Sequence, residues 1–335
     1  MLLDANLPPA SLTEIPALAR AAEAAGFDAL WAAETLHDPF LPLALAAEHT
    51  GRIRLGTGVA VAFARSPGTL AYTAWDLARG SGGRFILGLG TQVRAHIVRR
   101  FGMPWPDSPV GALRDLIGAL RALWTTWQTG EPLAYRSPHY RLTLMTPFFN
   151  PGPIEHPDIP IYLAGVNPGL IRLAGEVADG LLAHPYHSNR YLREVVRPAL
   201  ASGAQRAGRD PAAVRLAVTA MAATTPEQQD FVRAQIAFYA STPTYRPVMA
   251  LHGWGEAADR LREHARRGAW DRMVDLIEPE MLEAFAVLAP PDGLAAALQA
   301  RYGGLADRLS LYLPFDPQES EPFWQPLRAA LRAAG

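Results

Sequence analysis

The chain has 335 residues, with 31 basic and 32 acidic side chains, a net charge of −1 and no cysteine. Near-neutrality gives no electrostatic reason to expect nucleic acid or an anionic membrane as partner. The missing thiols exclude disulfides, thiolate zinc sites, iron–sulfur clusters and cysteine nucleophiles. Met1–Asn6 carries no basic stretch leading into a long apolar run, and nowhere do ~18 apolar residues run unbroken. The expectation is a soluble, cytoplasmic protein acting on a small molecule.

Strand-like and helix-like stretches alternate from the start. Met1 to Leu7 reads as a first strand. Ser11 or Thr13 can cap a helix through Ala25, closed by Gly26, with Ile15, Leu18 and Ala22 at helical spacing. Phe27 to Ala33 is an apolar strand and Leu41 to Glu48 a helix. Ile53 to Phe63 reads as one strand with Gly56 and Gly58 inside it. A helix over Gly68 to Arg79 precedes the buried strand Arg84 to Gly90. Gly111 to Trp127 is a long helix with Leu113, Ile117, Leu120 and Leu123 on one side. Residues 130 to 158 hold six prolines and several aromatics, which predicts an irregular insertion over the active face. The alternation resumes with a strand at Ile159 to Leu163, a helix at Pro168 to Ala178, a strand at Gly180 to Ala183 and a helix at Asn189 to Ala207. Val214 to Ala222 is a strand and Pro226 to Ala240 a helix. A second irregular stretch, Ser241 to Gly253, leads into short helices up to Arg301. Leu305 to Leu313 is the last strand and Glu321 to Ala333 the closing helix.

About eight strands, each followed by helix, predict an α/β fold: a single (β/α)8 TIM barrel over 1–335, with insertions near 130–158, after strand 4, and 241–290, between strands 7 and 8. A doubly wound sheet is the alternative, but no GxGxxG follows the first strand.

In such a barrel chemistry sits where the strands end. After strand 2, Glu34, His37 and Asp38 are close enough for an acid/base cluster; otherwise Asp38 caps the next helix and Glu34 pairs with an arginine. The glycines at 56 and 58 mark a bulge, tight packing or close backbone approach. Strand 4 ends in Gly88-Leu89-Gly90-Thr91-Gln92, a wall that has lost its side chains. Arg94, His96, Arg99 and Arg100 follow, either meeting an anion or forming a solvated helix face. Ala164-Gly165-Val166-Asn167-Pro168 precedes a helix whose first N–H groups outline an anion site. His184 and His187 suit hydrogen bonds to a ligand better than metal binding, since no third ligand is apparent. GxSxG, GxxxxGK[ST] and HExxH are all missing, which suits an enzyme whose cofactor carries the reaction.

The segments Gly26-Phe27-Asp28-Ala29-Leu30-Trp31, Arg54 to Val59, Gly83 to Gly90 and Ala174 to Gly180 resemble, in order and spacing, the luciferase-like monooxygenase superfamily. Trp75-Asp76-Leu77-Ala78, Gln92-Val93-Arg94-Ala95-His96, Ala237 to Pro243 and His252-Gly253-Trp254 are similar to one subgroup of its coenzyme F420-dependent oxidoreductase branch. The resemblance implies a TIM barrel, usually a homodimer, with F420 in the mouth, or FMN as the alternative. It implies a cis peptide at Gly58–Val59 behind the ring, a hydroxyl at Thr91 beside Gly90 and Gln92, and a phosphate held by Ala164, Gly165, Val166, Asn167 and Pro168. The family's histidine after the strand-2 acid is Thr35 here. The glutamate that sugar-phosphate dehydrogenases of the branch use is Val93. The candidates for moving a proton are Glu34, His37 and His96. The implied activity is hydride transfer between deazaflavin C5 and a small organic substrate. An FMN-dependent monooxygenase and a non-catalytic cofactor carrier are the alternatives.

Overall fold

The computed structural model describes residues 1–333. Eight parallel strands close on themselves: β1 Leu2–Asn6, β2 Ala29–Ala32, β3 Arg54–Thr57, β4 Phe85–Gly90, β5 Ile161–Gly165, β6 Gly180–Ala183, β7 Arg215–Ala223 and β8 Arg308–Pro314. Each pairs with the next in sequence, and β8 pairs with both β7 and β1. The ring of helices is α1 Ile15–Ala25, α2 Phe40–His49, α3 Pro67–Gly80, α4 Pro109–Thr129, α5 Pro168–Val177, α6 Arg197–Arg206, α7 Pro226–Ala240 and α8 Gln325–Ala333. This is the (β/α)8 barrel that the alternation predicts. Helix starts follow local chemistry. Ser66, Ser108 and Thr225 accept hydrogen bonds from the first-turn N–H groups of α3, α4 and α7, and a proline opens each of these helices.

Side chains alternate across each strand. One set, with Leu30, Leu55, Leu87, Leu163, Leu181 and Leu216, is fully buried against the helices. The other set fills the barrel, where Ala29, Trp31, Ile86, Tyr162 and Ala217 pack together. Deep inside, Asp4 on β1 and Arg308 on β8 form a two-pronged ion pair, both contacts 2.7 Å. The Trp31 indole also donates to Asp4, at 2.9 Å.

Three expectations change. Residues 53–63 are not one strand: β3 stops at Thr57, the Gly58–Val59 peptide is cis, and a two-residue strand at Ala60–Val61 pairs with the end of β4. Residues 241–253 are largely helical, with a turn at Pro243–Tyr245 and a helix at Arg246–Leu251; the two prolines start these turns rather than break them. The proline-rich stretch after α4 does not cover the mouth. It lies along the outer faces of α3 and α4, where Tyr72, Trp75 and Arg79 donate to the carbonyls of Phe149, Gly152 and Pro151, and Tyr135 donates to that of Asp115. Phe148 and Phe149 of that stretch face solvent.

α5 and α6 cross at very short range, because each presents a glycine to the other. A Cβ on Gly203 would lie 2.0 Å from the Arg172 carbonyl oxygen, and one on Gly175 2.1 Å from that of Leu200. The crossing fixes α5, and therefore the loop at its N-terminus. Gly203→Ala is expected to destabilise the protein by about 1–3 kcal/mol through overpacking, read by denaturant unfolding. An unchanged midpoint would show that the two helices can part without cost.

Candidate functional site

The C-terminal ends of β2 to β5 carry almost no side-chain bulk. Ala33, Gly90 and Ala164 continue the inward-facing sets of β2, β4 and β5, and Ala33 is exposed in the mouth. Behind them the packing is tight. A Cβ on Gly56 would lie 2.3 Å from the Trp31 ring. One on Gly88 would lie 1.8 Å from the Thr57 carbonyl oxygen, so the backbone of residue 57 occupies the space of a missing side chain. Thr57 and Gly88 are locked further by reciprocal bonds: the Thr57 hydroxyl donates to the Gly88 carbonyl at 2.7 Å and accepts from the Gly88 N–H at 2.8 Å.

The cis Gly58–Val59 bond follows at once and turns Val59 over β4. A Cβ on Gly90 would come within 2.6 Å of the Val59 Cγ2 and 3.6 Å of the Ala164 Cβ. Val59, Gly90 and Ala164 therefore form one shallow, apolar, side-chain-poor surface. Thr91 and Gln92 edge it, with Gln92 in the left-handed region at φ 57° and its side-chain oxygen accepting from the Val93 N–H at 2.9 Å.

Glu34 holds this surface from below. Its buried carboxylate accepts from the Val61 N–H at 2.7 Å and from Arg65 at 2.6 Å, while the Val59 carbonyl accepts from the Glu34 N–H at 3.4 Å. Arg65 also reaches Asp38 at 2.6 Å, and Asp38 caps the start of α2 through the Phe40 N–H. Burial works against the Arg65 charge, but its bonds to Glu34 and Asp38 raise its pKa above the ordinary arginine value. Of the three residues proposed to move a proton, Glu34 is thus held through Oε2 by Val61 and Arg65. His37 and His96 are exposed, His37 beside the 330 Å³ cavity between the loops after β1 and β2, His96 on the short surface helix Arg94–Arg99.

The loop Ala164 to Asn167 delivers the chain into α5. Asn167 is the N-cap residue, but its side chain makes no capping bond, so the first-turn N–H groups have no side-chain acceptor. The Tyr191 hydroxyl pins the loop by donating to the Val166 carbonyl at 2.8 Å. A helix N-terminus of this kind suits an anionic group. The surface and loop together can take a flat ligand with an anionic arm.

On the far side of the mouth stands a cluster that reading the sequence did not assemble. His184 follows β6, Tyr312 lies on β8, Tyr239 on α7 and Tyr245 in the turn after it. Tyr245 Oη is 3.1 Å from His184 Nε2, and the hydroxyls of Tyr239 and Tyr312 are 2.6 Å apart. His187, just behind, donates from Nδ1 to the His184 carbonyl at 2.7 Å and lies 3.2 Å through Nε2 from the Tyr302 hydroxyl. Burial pushes the His184 pKa down to about 3 and that of His187 to about 4, with the mutual proximity of the rings adding to the first. Only the pair His184 and His187 was visible as a motif. Among the described residues, no group of three or more His, Asp or Glu side chains is placed to share a metal ion.

Against known proteins, the model of the luciferase-like monooxygenase family matches residues 3–308. The chain is 48% identical over 304 residues to Rv1360 of Mycobacterium tuberculosis, named an uncharacterized protein, covering 87% of this chain and 89% of the other. It is 29% identical to the 5,10-methylenetetrahydromethanopterin reductase of Methanolobus tindarius, covering 87% of each. Among solved structures, the coenzyme F420-dependent tetrahydromethanopterin reductase of Methanopyrus kandleri superimposes with a TM-score of 0.79 at 21% identity, over 99% of this chain and 98% of that one.

Two outcomes test this geometry. Glu34→Ala leaves the half-buried Arg65 with Asp38 as its remaining carboxylate partner and is expected to cost about 1.5–3 kcal/mol of stability, with Glu34→Gln recovering part of it by keeping the bond to Val61. A loss below ~1 kcal/mol in urea unfolding would show that the network is not buried as described. For the histidines the folded pKa lies below the unfolded ~6.5, so the folded state resists a proton that the unfolded chain accepts. Stability is therefore complete above about pH 6.5 and falls as the pH drops toward 4. His187→Gln should flatten that fall by one proton, ~1.4 kcal/mol per pH unit; an unaltered slope would place the titration elsewhere.

Proposed function

Because the chain belongs to the luciferase-like monooxygenase family, we propose that it is a coenzyme F420-dependent oxidoreductase acting on a small organic substrate. The observation that carries this reading is the surface of Val59, Gly90 and Ala164 beside the uncapped N-terminus of α5. It matches, in shape and charge, a tricyclic ring with a phosphate arm. When bound, the deazaflavin supplies a hydride donor or acceptor at C5. The two relatives named as methanopterin reductases, one of them named F420-dependent, support this cofactor.

The protein's own residues do the rest. Val59 backs one face of the ring, so that substrate meets only the other. Gly90 and Ala164 let the ring approach the backbone closely. The Gly169 N–H at the start of α5, with those of Val166 and Asn167 in the loop before it, would hold the phosphate, since Leu170 and Ile171 donate to the Asn167 carbonyl, and Thr91 and Gln92 would border the ring's polar edge. Confinement in the mouth positions the reactants and limits water. Glu34 acts as a positioning residue, through Val61 and Arg65, for the turn that carries Val59.

A parallel titration with F420 and FMN, by fluorescence quenching and calorimetry, tests the reading. F420 is expected to bind more tightly, and Gly90→Ala to weaken it about tenfold, ~1.4 kcal/mol, because the new Cβ meets Val59. Tighter binding of FMN, with oxygen consumption when reduced FMN is supplied, would favour the monooxygenase alternative instead. Binding of neither cofactor would end both.

A further inference from the structure

The cluster across the mouth from β3 is specific in its hydrogen-bond directions. The Tyr186 N–H donates to His184 Nδ1 at 3.0 Å. A neutral imidazole that accepts at Nδ1 carries its one hydrogen on Nε2. That hydrogen is directed to the Tyr245 hydroxyl oxygen, 3.1 Å away. Tyr245 is thus the acceptor, and its own hydrogen is left to give. Of the neighbouring phenols, Tyr312 donates to Gln235 Oε1 at 3.3 Å, so Tyr239 donates to Tyr312, while the Tyr186 hydroxyl is buried without a partner.

The surroundings are aromatic and uncharged. The Tyr245 ring lies against His184, Tyr186 and Tyr239, with centroids 4.6, 5.8 and 5.9 Å away. The strand alternation that faces Leu182 into the barrel faces His184 into the mouth, and Ala183 pairs with Gly165 at the head of the α5 loop. The cluster and the ring surface therefore share one opening. Three arginines around the cluster are committed elsewhere: Arg246 to Asp259 at 2.7 Å, Arg190 to the Leu251 carbonyl at 2.7 Å, and Arg301 to the Ala286 carbonyl at 2.6 Å.

We propose that this half of the mouth is a subsite for an uncharged ligand oxygen of carbonyl type, and that Tyr245 is the residue that donates a hydrogen bond to it. An anionic ligand would lose its hydration there without gaining a cation, which disfavours it strongly. The state of the groups agrees. Burial raises the Tyr245 pKa to about 12, so the phenol keeps its hydrogen, and burial keeps His184 neutral. The subsite rests on the proposed oxidoreductase function for its role: a donor at this oxygen stabilises the charge that develops there as the carbon gains a hydride. Its geometry stands without the cofactor.

The test compares acetophenone with benzoate, which match in shape and differ in charge, by saturation-transfer NMR with and without added F420. Acetophenone is expected to bind at least about tenfold more tightly than benzoate. Tyr245→Phe should lose that preference while its F420 titration stays as in the wild type; its melting temperature should fall by a few degrees, because the His184 Nε2 hydrogen loses its acceptor. Nitrogen-15 spectra should place the His184 hydrogen on Nε2. The subsite is overturned if acetophenone does not bind, if benzoate binds as well, if Tyr245→Phe keeps the preference, or if the hydrogen sits on Nδ1, since Tyr245 would then have to donate to His184. Failure of F420 to bind the wild type overturns the cofactor reading alone, because the probe comparison is also made in its absence.

Discussion

The site depends on a steric exchange between two adjacent strands. The Thr57 carbonyl lies where the side chain of residue 88 would be, and only glycine at 88 permits it. That exchange lets β3 end early and turn through the cis Gly58–Val59 bond, which brings Val59 across β4. Gly90 then has to be bare for the same reason, this time because of Val59 itself. Each glycine in the Gly88-Leu89-Gly90 segment thus answers to a different group of β3 and its extension. The surface they leave is a by-product of close packing that a flat ligand can use.

The mouth divides into two chemically distinct halves. The β2 to β5 side is apolar and side-chain-poor, and its charges, Glu34, Arg65 and Asp38, are spent on one another. The β6 to β8 side is dense with aromatic rings whose polar tips form short hydrogen-bonded chains. A ligand between them meets shape on one side and directed hydrogen bonds on the other. Binding pockets commonly combine an apolar lining with a few placed polar groups; here the two are segregated by strand number.

The barrel was legible because each βα unit is a local pattern: an apolar run, a turn residue, a helix with its own start signal. The ends of α7 and β6 were read to the residue for that reason. The break at Thr57 was not legible from periodicity, since Gly58 to Phe63 after it is an unbroken apolar run; it entered only through the resemblance. The partnership of Glu34 with an arginine stood as the alternative to an acid/base role, and Arg65 read as an anion binder or a rim partner, but nothing local joined the two across 31 residues. The Tyr239, Tyr245 and Tyr312 cluster was invisible because its members come from three elements and meet only when β6, α7 and β8 stand side by side. The proline-rich stretch misled for a related reason. Its composition shows that it is irregular, but the hydrogen bonds that lay it on α3 and α4 reach 20 to 77 residues along the chain.

The Asp4–Arg308 pair joins the first strand to the last across 304 residues. During synthesis the ribosome must deliver nearly the whole chain before Asp4 meets its partner. Until then the early strands carry a carboxylate meant for the barrel interior, bonded only to Trp31. A growing chain in that state can stack its first βα units, but burying that carboxylate without its arginine would be costly. The pair therefore clasps the two ends of the barrel, and the ring can shut only once β8 has been made.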